Sequence, residues 1–261
     1  MQFRPKKRFG QNFLVDKNII HKIVSAFEIK PKDLILEIGP GEGALTKYIL
    51  KKTQNLIVVE IDKYLSQSLK EKFHHLKIIN KDILECDFKT EFYSEKYRVI
   101  GNLPYYITSQ ILFKIFDNAE MITDALIMVQ KEVGQRMVAY PGTKDYGILS
   151  VFTQYYSKPK ILFTCSPNVF YPRPEVESVV IKLQLTRKFN LERSIENIFK
   201  EIVKISFNQR RKTLKNALSR IFKKEHFQQI PFDFSKRAEE LNLEDFIYLA
   251  QNFAQINLSH N

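Results

Sequence analysis

The chain has 261 residues, 44% hydrophobic and 27% charged, enough to bury the core of one α/β domain and a smaller appendage. Its 41 Lys and Arg against 29 Asp and Glu leave a net charge of +12, which favours polyanionic partners such as nucleic acid. No run of about 20 apolar residues is present to span a membrane, the basic first residues lack the apolar core of a signal peptide, and Cys86 and Cys165 lack the paired spacing of a zinc site or disulfide framework.

A cytoplasmic protein without a metal or membrane partner is therefore expected. Short aliphatic and β-branched runs predict strands over 34–38, 56–60, 76–80, 97–101 and 125–129. Amphipathic stretches predict helices over 44–52, 64–73, 109–116 and 131–139. This alternation is the pattern of a parallel sheet covered by helices. Two further strands, over 160–164 and 178–185, flank a Pro-rich stretch over 167–174 that cannot be central strand. The sheet then has about seven strands. Beyond Leu185 helical spacing takes over, in 191–207, 212–222, 234–241 and 243–253. A first domain over 1–185 and a helical domain over 186–261 follow.

The first of these strands runs into Glu37, Ile38, Gly39, Pro40, Gly41, Glu42, Gly43 and Ala44. A glycine-rich turn between strand and helix lets a ligand approach the backbone closely. Gly39, Gly41 and Ala44 even satisfy a dinucleotide fingerprint, so the turn points to an adenosine-containing ligand without choosing which. Glu60 ends the next strand, about 20 residues on, where a carboxylate accepts ribose hydroxyls. Asp82 follows the third strand and suits either an adenine amino group or a helix cap. Their neighbours Ile61 and Ile83 complete this cofactor set.

The fourth strand ends in Asn102, Leu103, Pro104 and Tyr105, which resembles the (D/N)-P-P-(Y/F) motif of methyltransferases acting on exocyclic base amines. The lone pair of an adenine amine is delocalised into the ring. Hydrogen bonds from the amine to the Asn102 side-chain oxygen and the Pro104 carbonyl would localise that lone pair and aim it, a gain of positioning and electrostatics. Tyr105 would stack on the extruded base.

With these motifs stand Arg8 to Leu14, Met128 to Val133, Tyr146 to Ser150, Val169 to Pro174 and Phe207 to Lys212. Together they are similar to the KsgA family of ribosomal RNA small-subunit adenine dimethyltransferases over essentially the whole chain. The resemblance implies a Rossmann-like, seven-stranded class I methyltransferase domain followed by a small all-helical domain, with S-adenosyl-L-methionine as cofactor. It implies transfer of methyl groups to N6 of two adjacent adenosines near the 3′ end of 16S rRNA in a small ribosomal subunit, by a chain acting as a monomer. It adds Asn12 and Leu14 to the cofactor set and Phe170 as a second stacking surface opposite Tyr105. Arg4, Lys6, Lys7 and Arg8 at the start, and Arg210, Arg211 and Lys212 in the helical domain, are the candidate RNA-phosphate contacts. The competing readings are a large-subunit rRNA adenine methyltransferase of the macrolide-resistance type, a nucleotide-dependent oxidoreductase, and a non-catalytic RNA-binding assembly factor.

Overall fold

In the computed structural model, residues 10–92, 96–186 and 189–258 are described. The N-terminal candidates Arg4, Lys6, Lys7 and Arg8 lie outside them.

A two-residue strand, β1 (Phe13–Leu14), leads into helix α1 (Lys17–Ala26). Asp16 caps α1 by accepting from the backbone N–H groups of Asn18 and Ile19, which satisfies donors that have no partner inside the helix. The chain then alternates: β2 (Ile35–Ile38), α2 (Thr46–Ile49), β3 (Leu56–Val59), α3 (Lys63–Lys72), β4 (Lys77–Ile79), α4 (Phe88–Glu91), β5 (Tyr97–Asn102), α5 (Thr108–Asp117), β6 (Ile122–Gln130) and α6 (Lys131–Val138). After α7 (Ile148–Tyr156) come β7 (Lys158–Cys165), β8 (Phe170–Tyr171) and β9 (Ser178–Gln184).

Seven strands form one sheet in the order β4-β3-β2-β5-β6-β9-β7. Those from β4 to β6 are parallel, whereas β9 runs antiparallel to both of its neighbours. All seven correspond to predicted strands. Every residue of β2 and β3 is buried, as expected of a parallel sheet covered on both faces. Near the start of β5, the Arg98 guanidinium joins Asp124 at 2.7 Å, Asp33 at 2.6 Å and the carbonyl of Phe27 at 2.7 Å. That clamp fixes the N-terminal ends of the strands and leaves their C-terminal ends to form a site. Cys86 and Cys165 are buried free thiols. A second, two-stranded sheet pairs β1 with β8, Leu14 facing Phe170.

The chain divides into two compact units, Met1–Gly134 with Lys158–Thr186, and Gln135–Ser157 with Arg187–Asn261. The second holds α7, α8 (Arg193–Asn208), α9 (Leu214–Leu218), α10 (Lys224–Gln229) and α11 (Leu243–Leu258). Residues 135–157, which the sequence places in the first domain, join the helices because their rings pack there. Phe152 and Tyr155 meet Phe199, and Tyr146 meets Phe207 edge-on. The helix expected over 234–241 is reduced to one 3-10 turn, Ala238–Glu240. Its backbone is diverted: the carbonyls of Phe234 and Lys236 accept from the N–H groups of Lys215 and Leu214, bonds that an α-helix would have kept to itself.

Candidate active site

The C-terminal ends of β2, β3 and β5 open on a cleft of about 430 Å³, built wholly from residues of the first unit. Open α/β sheets bind ligands at this edge. After β2 the backbone turns through Gly39 and Gly41, at φ of +66° and +59°, a left-handed conformation that costs side-chain-bearing residues steric energy. A Cβ on Gly41 would also stand 2.9 Å from the ring of Phe13. Both glycines line the cleft floor, with the N-terminal strand passing directly over the second.

Glu60, at the end of β3, is 5% exposed. Its two carboxylate oxygens accept from the N–H groups of Gly41, at 3.1 Å, and Asp62, at 2.9 Å. These bonds tie the glycine turn to the next strand and leave further lone pairs for a ligand. Burial pushes the Glu60 carboxyl up to about 7. Glu37, at the end of β2, is likewise raised by burial to about 7, although the Thr46 hydroxyl donates to it at 2.6 Å. Its role in holding the turn was not assigned from the sequence, although its place just before the glycines was a readable signal. Asp82, Ile83 and Ile61 all line the cleft. The Asp82 side chain also accepts from the N–H of Leu84 as a cap, so the two readings of this residue are compatible.

The residues expected to act on the amine lie at or just after the end of β5, the strand beside β2, and Asn102 lies next to the glycine turn. The side-chain Nδ2 of Asn102 donates to the backbone carbonyl of Asn12 at 2.8 Å. Only the NH₂ end of an amide can donate to a carbonyl, so this bond fixes which way the group points. The Oδ1 end is buried and has no hydrogen-bond partner among the described residues. An unmet buried acceptor costs about 1–3 kcal/mol, a strong preference for a ligand that brings a donor. Asn12 and Leu14 line the same cleft, held there by the pairing of β1 with β8 and by the N–H of Val15 donating to Val169 at 2.9 Å.

Two further catalytic candidates are Pro104 and Phe170. The Pro104 carbonyl accepts from the Thr108 hydroxyl at 2.8 Å and from the Ile107 N–H at 3.3 Å, which closes the turn after β5, and Pro104 itself lines the cleft. Phe170 is 4% exposed and belongs to the core cluster that contains Leu14. Leu14, its partner across the two-stranded sheet, lines the cleft, whereas Phe170 itself is not among the lining residues. Tyr105 does line the cleft, its hydroxyl 2.6 Å from that of Ser178, with burial pushing the phenol upward. In the second unit, the Arg210 guanidinium donates to Glu239 at 2.6 Å and to the Lys144 carbonyl at 3.0 Å. Arg211 and Lys212 beside it are exposed.

The model of the family described as ribosomal RNA adenine dimethylase matches residues 2–255. The chain belongs to that family. Relatives named ribosomal RNA small subunit methyltransferase A include those of Alkaliphilus oremlandii, 42% identical over 97% of this chain and 93% of that protein, and Francisella tularensis subsp. novicida, 43% identical over 96% of this chain and 98% of that protein. Among solved structures, a dimethyladenosine transferase from Plasmodium falciparum aligns with a TM-score of 0.78 at 25% identity, over 93% of this chain and 98% of that one. The 23S rRNA methyltransferase ErmE aligns with a TM-score of 0.68 at 25% identity, over 94% of this chain and all of that one.

For a ribosomal RNA adenine dimethylase the donor set suits S-adenosyl-L-methionine. The open glycine backbone, a buried carboxylate at a strand end and an unmet amide oxygen beside it are the groups that an adenosine-bearing cofactor and an amine would meet. Glu60 then has a measurable consequence. Ribose hydroxyls donate best to the ionised carboxylate, and with its pKa raised to about 7 this group is largely ionised above that pH and protonated below it. S-adenosylhomocysteine affinity is expected to fall roughly three- to tenfold from pH 8 to pH 6, as read by titration calorimetry. Glu60→Gln should bind weakly at both values with most of that slope gone; an unaltered slope would acquit Glu60.

Proposed function

We propose that this chain transfers methyl groups from S-adenosyl-L-methionine to the N6 amine of adenosines in small-subunit rRNA, producing N6,N6-dimethyladenosine in a 16S-type rRNA during ribosome assembly. The observation that carries the reading is the free Asn102 Oδ1, aimed by the bond of its own amide to Asn12. Family membership supplies the substrate class.

When bound, the cofactor supplies a methyl group already electrophilic on its sulfonium. The protein's part is then to position and polarise the acceptor. Asn102 Oδ1 accepts a hydrogen bond from the amine and draws its lone pair out of the ring. Tyr105 offers its ring as a stacking surface for the displaced base, with the hydroxyl anchored on Ser178. Gly39, Gly41, Glu60, Ile61, Asp82 and Ile83 hold the adenosine end of the cofactor, and Asn12 and Leu14 cover it. Arg211 and Lys212 contribute phosphate contacts, while Arg210 orders the loop that presents them. Tyr105→Ala should lose stacking worth about 1–3 kcal/mol per base, seen as a raised KM for RNA, whereas Tyr105→Phe should lose only about 1 kcal/mol of stability. Equal KM values for the two variants would remove the ring from base binding. We read the protein as a single chain acting in the cytoplasm; no helix among the described residues is long and apolar enough to cross a membrane.

The deciding experiment gives labelled S-adenosylmethionine and immature small and large ribosomal subunits, separately, to the purified protein, followed by nucleoside analysis. Dimethyladenosine confined to small-subunit RNA is expected. Label in large-subunit RNA would move the substrate to that of ErmE, and RNA binding without label would favour an assembly factor.

A further inference from the structure

The face made by α1, α2 and the turn that follows α2 carries four exposed lysines, Lys17, Lys22, Lys47 and Lys51. None of them forms an ion pair among the described residues. An ordinary solvated lysine swings freely, but three of these are seated on rings. Lys22 Nζ lies 4.1 Å from the centroid of the Phe163 ring, and Lys51 and Lys47 lie 5.2 and 6.0 Å from that of Tyr48. His21, one turn along α1 from Lys17, meets Tyr48 edge-on at 4.6 Å. The rings thus join the two helices and hold the ammonium groups in a restricted arc, which lowers the entropy lost when each takes a partner. The cluster also has a direction: Lys17, Lys47 and Tyr48 line the catalytic cleft itself, and Lys22, further along α1, and Lys51, in the turn after α2, lie outside that lining.

We propose that this face is a docking track for the RNA sugar-phosphate backbone flanking the target adenosine. The inference rests on the reading of the chain as an rRNA methyltransferase. Uncompensated, pre-seated cations leading away from the mouth of a site that takes an RNA base are complementary to the phosphates on either side of that base. The track supplies affinity and register but does not read sequence. It belongs to the catalytic unit and is separate from the basic cluster at Arg211 and Lys212.

The test uses Lys22→Ala with Lys51→Ala, two positions outside the cleft lining, and measures binding to small-subunit rRNA as a function of salt. The log-log salt slope should become shallower by about 1.4–1.8, at roughly 0.7–0.9 per phosphate contact. KM for RNA should rise, while S-adenosylhomocysteine affinity and kcat at saturating RNA stay level. Lys22→Arg with Lys51→Arg should restore the slope. Lys22→Met with Lys51→Met keeps apolar stems over the rings without charge, and should match the alanine pair even if truncation disturbs folding. An unchanged slope and KM in the folded methionine pair would overturn the proposal, as would a fall in kcat with KM unmoved. Binding decides the track by itself, so failure of the wild-type chain to methylate any rRNA would overturn the functional reading separately.

Discussion

Replacing Asn102 by Ala should slow methyl transfer by about 10²–10³-fold, the range for losing one preorganised polar group that acts on the reacting atom. The substitution removes a buried acceptor beside the glycine turn that has no hydrogen-bond partner among the described residues. It leaves the basic surfaces and the Tyr105 ring in place, so RNA affinity should change little. It also cuts the bond to the Asn12 carbonyl, so a few-fold loss of cofactor affinity is expected; single-turnover rates at saturating cofactor and RNA separate the two effects. Asn102→Asp refines the result, because it keeps an acceptor but sets a carboxylate oxygen against the Asn12 carbonyl where an N–H donor had been. That variant should lose more in cofactor affinity than alanine does. Full retention of the transfer rate in Asn102→Ala would remove this residue from the mechanism.

The second large effect is expected one residue earlier. A Cβ on Gly101 would lie 2.5 Å from the backbone oxygen of Ile38, and a backbone atom inside a sheet cannot swing aside as a side chain can. Gly101→Ala must therefore push β5 away from β2, at a cost of about 1–3 kcal/mol for overpacking. For a chain of this size that is a fall of roughly 2–4 °C in Tm per kcal/mol, measured by calorimetry. The two strands carry the glycine turn and Asn102, so activity should fall further than stability alone accounts for. A variant with wild-type Tm would mean that the strands can part without strain.

Much of this architecture was legible before the structure, and the physical reason is local. Strands such as Leu56–Val59 are continuous apolar runs because both faces of a parallel sheet are covered. The cleft residues from Gly39 to Asn102 sit at or just after the C-terminal ends of successive parallel strands, which a strand-by-strand reading of the chain locates. The misses share the opposite property. No element was assigned before residue 33, yet Asp16 is an N-cap and Ile20, Ile23 and Val24 form the buried stripe of α1, a pattern that the residues do carry. The pairing of Leu14 with Phe170 spans most of the chain, and no local spacing reports it. The surroundings of Phe170 are hidden from local spacing for the same reason.

The strand order sets a timetable for synthesis. Every residue lining the cleft lies within 10–111, so a ribosome making this chain releases the whole lining early. Those parts cannot yet be secured. β6, a nearly wholly buried strand, pairs along one side with β5 and along the other with β9, which emerges only after the helical insertion 135–157. Until then β6 is an open apolar edge of the sort that recruits other chains. The strand over the cleft waits equally long, since the partner of Leu14 is Phe170. β1, the first element among the described residues, is thus among the last to be locked, and a chain cut short before Gln184 would carry the whole cleft lining on a sheet that still lacks a side.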